Sequence, residues 1–316
     1  MKVGGGLIKI INSEKTSTHF KRIYIEISNI CNLKCKFCSP LLREKRVMTV
    51  EEFSYIISQI KPFSNFVYFH VKGEPLMHPH LREFLDICAE NDLRVNITTN
   101  GTLLEKQASI LLNHKATRQV NISLHSLSEQ DYSSCGNSNG KESYIKSAVE
   151  FAKKANEKGI FVVLRLWNLD KNGETNSFGE FAMEEIEKSF PQTVPLVLQM
   201  QEHLSGEKSV KIAKKVFVGW EKEFVWPSLA NDFVGDEGFC YGMRHQVAIL
   251  CDGSVVPCCL DANGEAILGN IFTEKFENII NSREAIDIRK GFENRKVHNE
   301  LCKRCNELSK ICVGYI

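Results

Sequence analysis

Six apolar runs, each separated from the next by a segment with helical periodicity, constrain the fold of this 316-residue chain more than any other feature. The runs fall at 22–28, 66–71, 93–98, 118–124, 160–166 and 194–200, and they are rich in Ile, Val, Leu and Phe. Strands of a parallel sheet read this way because both of their faces are covered. Between them, Thr49-Val-Glu-Glu52 has the form of a capping box, and Phe53, Ile56, Ile57 and Ile60 then share one helical face. Leu81, Phe84, Leu85 and Cys88 make a second stripe. A third helix is predicted from Ser143 to Lys158, with Gly159 as its stop. Further helices are expected at 178–189 and 206–217, and the Ser-, Asn- and Gly-rich stretch from Asp131 to Gly140 reads as a surface loop or lid. This alternation requires right-handed βαβ crossovers and a parallel sheet. The expected fold is α/β, a partial (β/α)6 barrel over residues 21–235, preceded by an extension over 1–20 and followed by a small α+β lobe over 236–316. In barrels of this kind, reactive groups gather at the C-terminal ends of the strands.

Chemistry enters at the end of the first run. Cys31-Asn-Leu-Lys-Cys35-Lys-Phe-Cys38 places three thiols in eight residues, on the loop leaving a predicted strand. A [4Fe-4S] cluster normally takes four cysteines, so a local set of three leaves one iron open. The alternative, zinc, usually pairs one C-x2-C with a second pair, and no such pair lies nearby.

The triad, with an aromatic residue before its last cysteine, resembles the signature of the radical S-adenosylmethionine (SAM) enzymes. Val71-Lys72-Gly73-Glu74-Pro75 resembles the Gly-Gly-Glu-Pro motif of the same family, with Lys72 in place of the first glycine. The resemblance implies that Cys31, Cys35 and Cys38 hold a SAM-binding cluster and that Phe37 packs against it. It implies SAM contacts from Gly73, Glu74, Thr99, Asn100, Ser123 and Arg165. Arg165 lies amid Val162, Val163, Leu164 and Leu166, where a buried cation needs an anion; the SAM carboxylate or a structural carboxylate would serve. In such enzymes reductive cleavage of SAM yields a 5′-deoxyadenosyl radical, and the cofactor carries the chemistry while the protein positions it.

Cysteines return after residue 235. Cys240 precedes a β-like run, Asp252-Gly253 marks a hairpin turn, Cys258 follows it, and Cys302-Lys-Arg-Cys305 closes the set. Four protein ligands close a metal site, with zinc or an iron–sulfur cluster as its occupant. The arrangement is similar to the one-cluster "twitch" version of the SPASM lobe of radical SAM enzymes, as in the aminocyclitol dehydrogenases. The resemblance therefore implies a second, auxiliary [4Fe-4S] cluster on Cys240, Cys258, Cys302 and Cys305. Cys259 and Cys312 leave that ligand set open; Cys88 reads as a small buried hydrophobe, and Cys135 and Cys251 have no assigned role.

The net charge of +1 argues against a nucleic-acid partner. No signal peptide and no stretch near 18 apolar residues is visible, so a cytoplasmic setting is expected. The implied partners are a small-molecule substrate and an external one-electron reductant of flavodoxin or ferredoxin type. Three substrate classes compete: a small hydroxyl-rich molecule, a ribosomal peptide, or none at all in a non-enzymatic metal-binding protein. Only about 20 residues precede the first strand, which favours the small molecule over a peptide. A narrower resemblance is to clostridial-type radical SAM proteins that include the queuine lyases of queuosine salvage. Candidate substrate contacts are His70, His125, Asn168 and Arg244, with His70, His125 and Cys135 as catalytic candidates; Cys135 or Cys251 would be the hydrogen donor of an epimerase.

Overall fold

The computed structural model describes residues 19–35, 37–125, 140–169, 175–202, 209–222 and 225–308. Five parallel strands appear where the apolar runs place them. These are β1 (Arg22–Ile25), β2 (Phe66–Phe69), β3 (Arg94–Thr99), β4 (Thr117–Leu124) and β5 (Phe161–Leu169). Helices α1 (Val50–Ile60), α2 (Leu81–Glu90), α3 (Leu104–Asn113) and α4 (Gly140–Glu157) connect them. The capping box of α1 forms as expected. Glu52 N donates to Thr49 Oγ1 at 3.2 Å, and Thr49 N donates to Glu52 Oε2 at 2.9 Å. Phe53, Ile56, Ile57 and Ile60 are all buried. Each such side chain contributes about 1.5–3 kcal/mol by leaving water. Phe53 stacks on Phe84 of α2 with ring centroids 4.1 Å apart.

The sixth strand is not where the sequence placed it. Residues 196–202 form a helix, α6 (Leu196–Glu202), which follows α5 (Ser177–Ser189). Leu196 and Met200, one helical turn apart, are its buried residues, so the apolar run has a helical and not a strand period. The helix expected at 206–217 is replaced among its described residues by β6 (Ser209–Lys211), which leads to β7 (Val216–Lys222). β7 pairs with β5 in parallel and completes the partial barrel, while β6 pairs antiparallel with β7. Val216, Val218 and Trp220 alternate into the core, the period of two that a strand requires.

The sheet order among the described residues is β10-β9-β8-β1-β2-β3-β4-β5-β7-β6, so the barrel is open. β8 (Gln246–Ile249), β9 (Ser254–Val256) and β10 (Gly269–Asn270) extend it on the β1 side. β8 runs parallel to β1, with Arg22 opposite Gln246 and Ile25 opposite Ile249. The Asp252-Gly253 turn joins β8 and β9 antiparallel, and Gly253 takes φ 85°, a conformation that favours glycine. Helices α7 (Phe276–Ile280) and α8 (Arg283–Glu293) follow.

The two faces of the barrel differ chemically. Ile23, Ile25, Val67, Phe69, Val95, Ile97, Val120, Ile122, Leu164 and Leu166 enter the main core under the helices. Strand alternation sends Tyr24, Tyr68, His70, Asn96, Thr98, Gln119, Asn121, Ser123 and Arg165 to the opposite, inner face. The strands are therefore not uniformly apolar; one face carries the core and the other a polar lining.

Candidate active site

The loop after β1 carries Cys31, Cys35 and Cys38, and its base is fixed by backbone pairing. Met48 N donates to Ile27 O at 2.9 Å, and Asn29 Nδ2 donates to Glu44 O at 2.7 Å. Arg46 N donates to Asn29 Oδ1 at 2.7 Å. Cys31 and Cys38 are exposed and Cys35 is half-buried. Leu33 anchors the loop by burying its side chain.

Gly73 locks the second motif onto the first. It takes φ 77°, and a Cβ there would sit 2.3 Å from Ser28 O and 2.9 Å from Ile30 O. Only glycine allows this approach. The next residue continues the clasp, with Glu74 N donating to Ile30 O at 2.9 Å. The crowding at Gly73 comes from the cysteine loop itself.

Glu74 is buried and ties three segments together. Its carboxylate accepts from Thr99 Oγ1 at 2.7 Å, Asn100 N at 2.7 Å and Leu76 N at 3.0 Å. Burial pushes its pKa up to about 7, against the opposing pull of those three donors. Thr99 is buried in this clasp and also accepts from Gly101 N at 3.0 Å. Asn100 reaches the first cysteine. Its Nδ2 donates to Asn32 Oδ1 at 2.9 Å and lies 3.7 Å from Cys31 Sγ. Thr102 completes this network through Asn32 Nδ2 at 2.9 Å and Asn100 Oδ1 at 2.7 Å. Tyr144 Oη lies 2.7 Å from Asn100 O and 3.0 Å from Ser123 O, so α4 pins the ends of β3 and β4.

Ser123 and Arg165 are register partners on β4 and β5, side by side on the inner face. His70 and His125 close the group. Burial, with the charge of Arg165 behind it, holds each imidazole at about 4, so both are neutral near pH 7. His125 Nδ1 is buried without a hydrogen-bond partner among the described residues. Phe37 packs on this histidine, with ring centroids 4.7 Å apart. Cys135 lies outside the described residues, as does the side chain of Asn168. Arg244 is misplaced by the sequence reading. It precedes β8, beside the start of β1, and so lies at the end of the barrel opposite the cysteine loop. Its guanidinium stacks 4.9 Å over Phe239.

Several residues at the site escaped the sequence reading. Glu26, buried just past β1, accepts from Arg43 at 2.7 Å, Cys251 N at 3.0 Å and Lys72 N at 3.3 Å. Trp226 Nε1 donates to Phe37 O at 3.1 Å. Asn263 Nδ2 donates to Pro40 O at 3.2 Å, and Arg43 Nε donates to Ala262 O at 3.1 Å. The C-terminal segment thus packs on the cysteine loop. Cys251 is fully buried and Cys88 is core, and burial drives both thiols up, Cys251 to about 12.

The second cysteine set converges. Cys258 is raised first by burial and then by the nearby thiols of Cys259, Cys240, Cys302 and Cys305. Gly242 N donates to Cys240 Sγ at 3.3 Å, and Asn299 Oδ1 receives Leu301 N at 3.0 Å, fixing the turn into Cys302. Cys259 turns toward Tyr24 and Arg22. Among the described residues, no three His, Cys, Asp or Glu side chains stand as close as a single metal ion requires. Both sets consist of thiols, the donors that iron–sulfur clusters take.

The Radical SAM superfamily model matches residues 25–175, and the SPASM model, an iron–sulfur cluster-binding domain, matches residues 240–306. The chain carries a radical SAM domain followed by a SPASM domain. It therefore uses SAM and [4Fe-4S] clusters, with an auxiliary site in its SPASM region. A probable GTP 3′,8-cyclase of Methanococcus maripaludis strain C7 is 26% identical over 264 residues, covering 75% of this chain and 84% of that protein. The antilisterial bacteriocin subtilosin biosynthesis protein AlbA of Bacillus subtilis strain 168 is 25% identical over 274 residues, covering 81% of this chain and 58% of that protein. Among solved structures, BtrN in complex with AdoMet and 2-DOIA matches with a TM-score of 0.54 at 19% identity, covering 91% of this chain and 93% of that one. This last likeness is one of fold. Among the described residues, no helix is long and apolar enough to cross a membrane.

Proposed function

We propose that this radical SAM enzyme removes hydrogen from a small, polar, hydroxyl-bearing molecule held against the inner face of the barrel, with Cys31, Cys35 and Cys38 holding the SAM-binding cluster. One observation carries the reading: the inner face of the barrel, from the cysteine-loop end down along β3 and β4, is lined by amides, hydroxyls and neutral imidazoles. Gln119 Nε2 donates to Asn121 Oδ1 at 2.8 Å, and Asn121 Nδ2 donates to Thr98 Oγ1 at 3.2 Å. Asn96 and Gln119 are both buried, and Arg118 donates to each of them. A pocket with few, placed polar groups selects polar ligands, because unpaired buried donors are costly.

When bound, SAM and its reduced cluster supply a radical that attacks an unactivated C–H bond. The residues of this chain do the rest. Asn100 and Asn32 orient the Cys31 side of the loop. Ser123 and Arg165, side by side on the inner face, would take a ribose hydroxyl and the carboxylate of SAM. His70 and His125, neutral near pH 7, offer hydrogen bonds to substrate without adding charge. Phe37 and Trp226 cover one side of the cysteine loop, joined by the indole N–H to Phe37 O. Cys240, Cys258, Cys302 and Cys305 hold the auxiliary cluster. The electron donor is of flavodoxin or ferredoxin type. Queuine, with its diol and deazaguanine edge, is the narrowest candidate substrate, and aminocyclitols and nucleotides share the same polar character.

The experiment is anaerobic turnover with dithionite and SAM across queuine, aminocyclitols, GTP and candidate peptides. A small polar molecule should raise the yield of 5′-deoxyadenosine. Stimulation by a peptide alone would overturn the reading.

A further inference from the structure

We infer that Lys72 is an electrostatic partner of Cys38 that raises the reduction potential of the SAM-binding cluster. The inference rests on the three-cysteine loop being the cluster site. Lys72 occupies the place of the first glycine in the related motif. Its backbone has little freedom, since Lys72 N donates to the buried Glu26 carboxylate at 3.3 Å and Gly73 is wedged against Ser28 O. The side chain is 7% exposed and lies along the cysteine loop. Nζ sits 3.4 Å from Cys38 Sγ and also donates to Ser39 O. The indole of Trp226 covers it, with Nζ 5.0 Å from the ring centroid.

A desolvated ammonium is costly unless it is compensated. The carbonyl and the indole face offset part of that cost. Neither is an anion. Glu26, the nearest carboxylate to its backbone, receives its two 2.7 Å contacts from Arg43. Among the described residues, the remaining partner at hydrogen-bond distance is the sulfur of Cys38, which carries negative charge once it holds iron. The pocket of Lys72 is therefore complementary to the loaded loop. Hydrogen bonds and positive charge at cluster sulfurs shift the potential, because they favour the state with one more electron. A glycine at position 72 would supply neither and would admit water between Trp226 and the loop.

The test is a redox titration of the reconstituted enzyme, followed by EPR of the reduced cluster. Iron content and far-UV circular dichroism are measured on every variant. The iron content of the unsubstituted enzyme tests the cluster assignment separately. Lys72→Met keeps the length and apolar stem, and Lys72→Arg keeps the charge. Lys72→Met should move the potential of the SAM-binding cluster to more negative values. The expected change is about tenfold in the reduction equilibrium, about 59 mV for a one-electron couple. Lys72→Arg should stay near the original value. Loss of the cluster from Lys72→Met but not from Lys72→Arg would also support the charge. An unchanged potential in a fully loaded Lys72→Met, or equal effects of the two substitutions, would overturn the inference.

Discussion

Glu74 shows how one buried carboxylate can assemble a site from three separate segments. It draws in the turn after β2 and the end of β3, while its own N–H holds the cysteine loop. Glu74→Gln replaces an acceptor with a donor in front of an N–H or hydroxyl donor. The expected cost is about 1–3 kcal/mol, the penalty of leaving a buried polar group unsatisfied, read by urea denaturation. The pH dependence has a definite sign. The folded pKa, about 7, lies above the reference value of 4.5, so the native state favours the proton. The contribution is fully present below about 4.5 and is lost as pH rises through about 7. The advantage of the wild type over Glu74→Gln should therefore shrink over that range. An advantage that grows with pH would contradict the burial argument. The cysteine triad and the Gly-Glu-Pro turn were legible in the sequence because each is local. Glu26, Thr102, Tyr144 and Trp226 were not, because their roles arise from partners far along the chain. Trp226 and Phe37 are 189 residues apart, and Cys251 and Glu26 are 225 apart. No spacing rule reaches across such a gap.

Secondary-structure elements were legible where the apolar period was long and closed by a clear stop. α1 and β1 to β5 lie within a few residues of their expected places. The exchange of helix for strand between 196 and 222 has a physical cause. Leu196-Val-Leu has the composition of a strand, but its buried residues are spaced by four. Lys211, Lys214 and Lys215 give the following stretch a helical polarity, although they belong to a tight hairpin in which β7 alternates. The SPASM region is a separate case, since its four cysteines are brought together by the β8–β9 hairpin and the turn at Cys302. Replacing Cys302 and Cys305 together with alanine should remove about four irons per chain and lower the thermal midpoint of the C-terminal region. The Cys31–Cys38 site should keep its iron. Loss of all iron would mean that the two sites fold as one unit.

For the whole molecule, the open barrel places His70, Ser123, His125 and Arg165 at the same end as its cysteine loop, and the C-terminal segment packs on that loop through Trp226, Ala262 and Asn263. The central claim is that three cysteines hold a cluster whose remaining iron is free for SAM. EPR of the dithionite-reduced enzyme with and without SAM tests it most directly. Addition of SAM should change the spectrum of one cluster, and that response should vanish in Cys31→Ala, Cys35→Ala and Cys38→Ala while the auxiliary signal remains. A spectrum indifferent to SAM, or a SAM response that survives those substitutions, would contradict it.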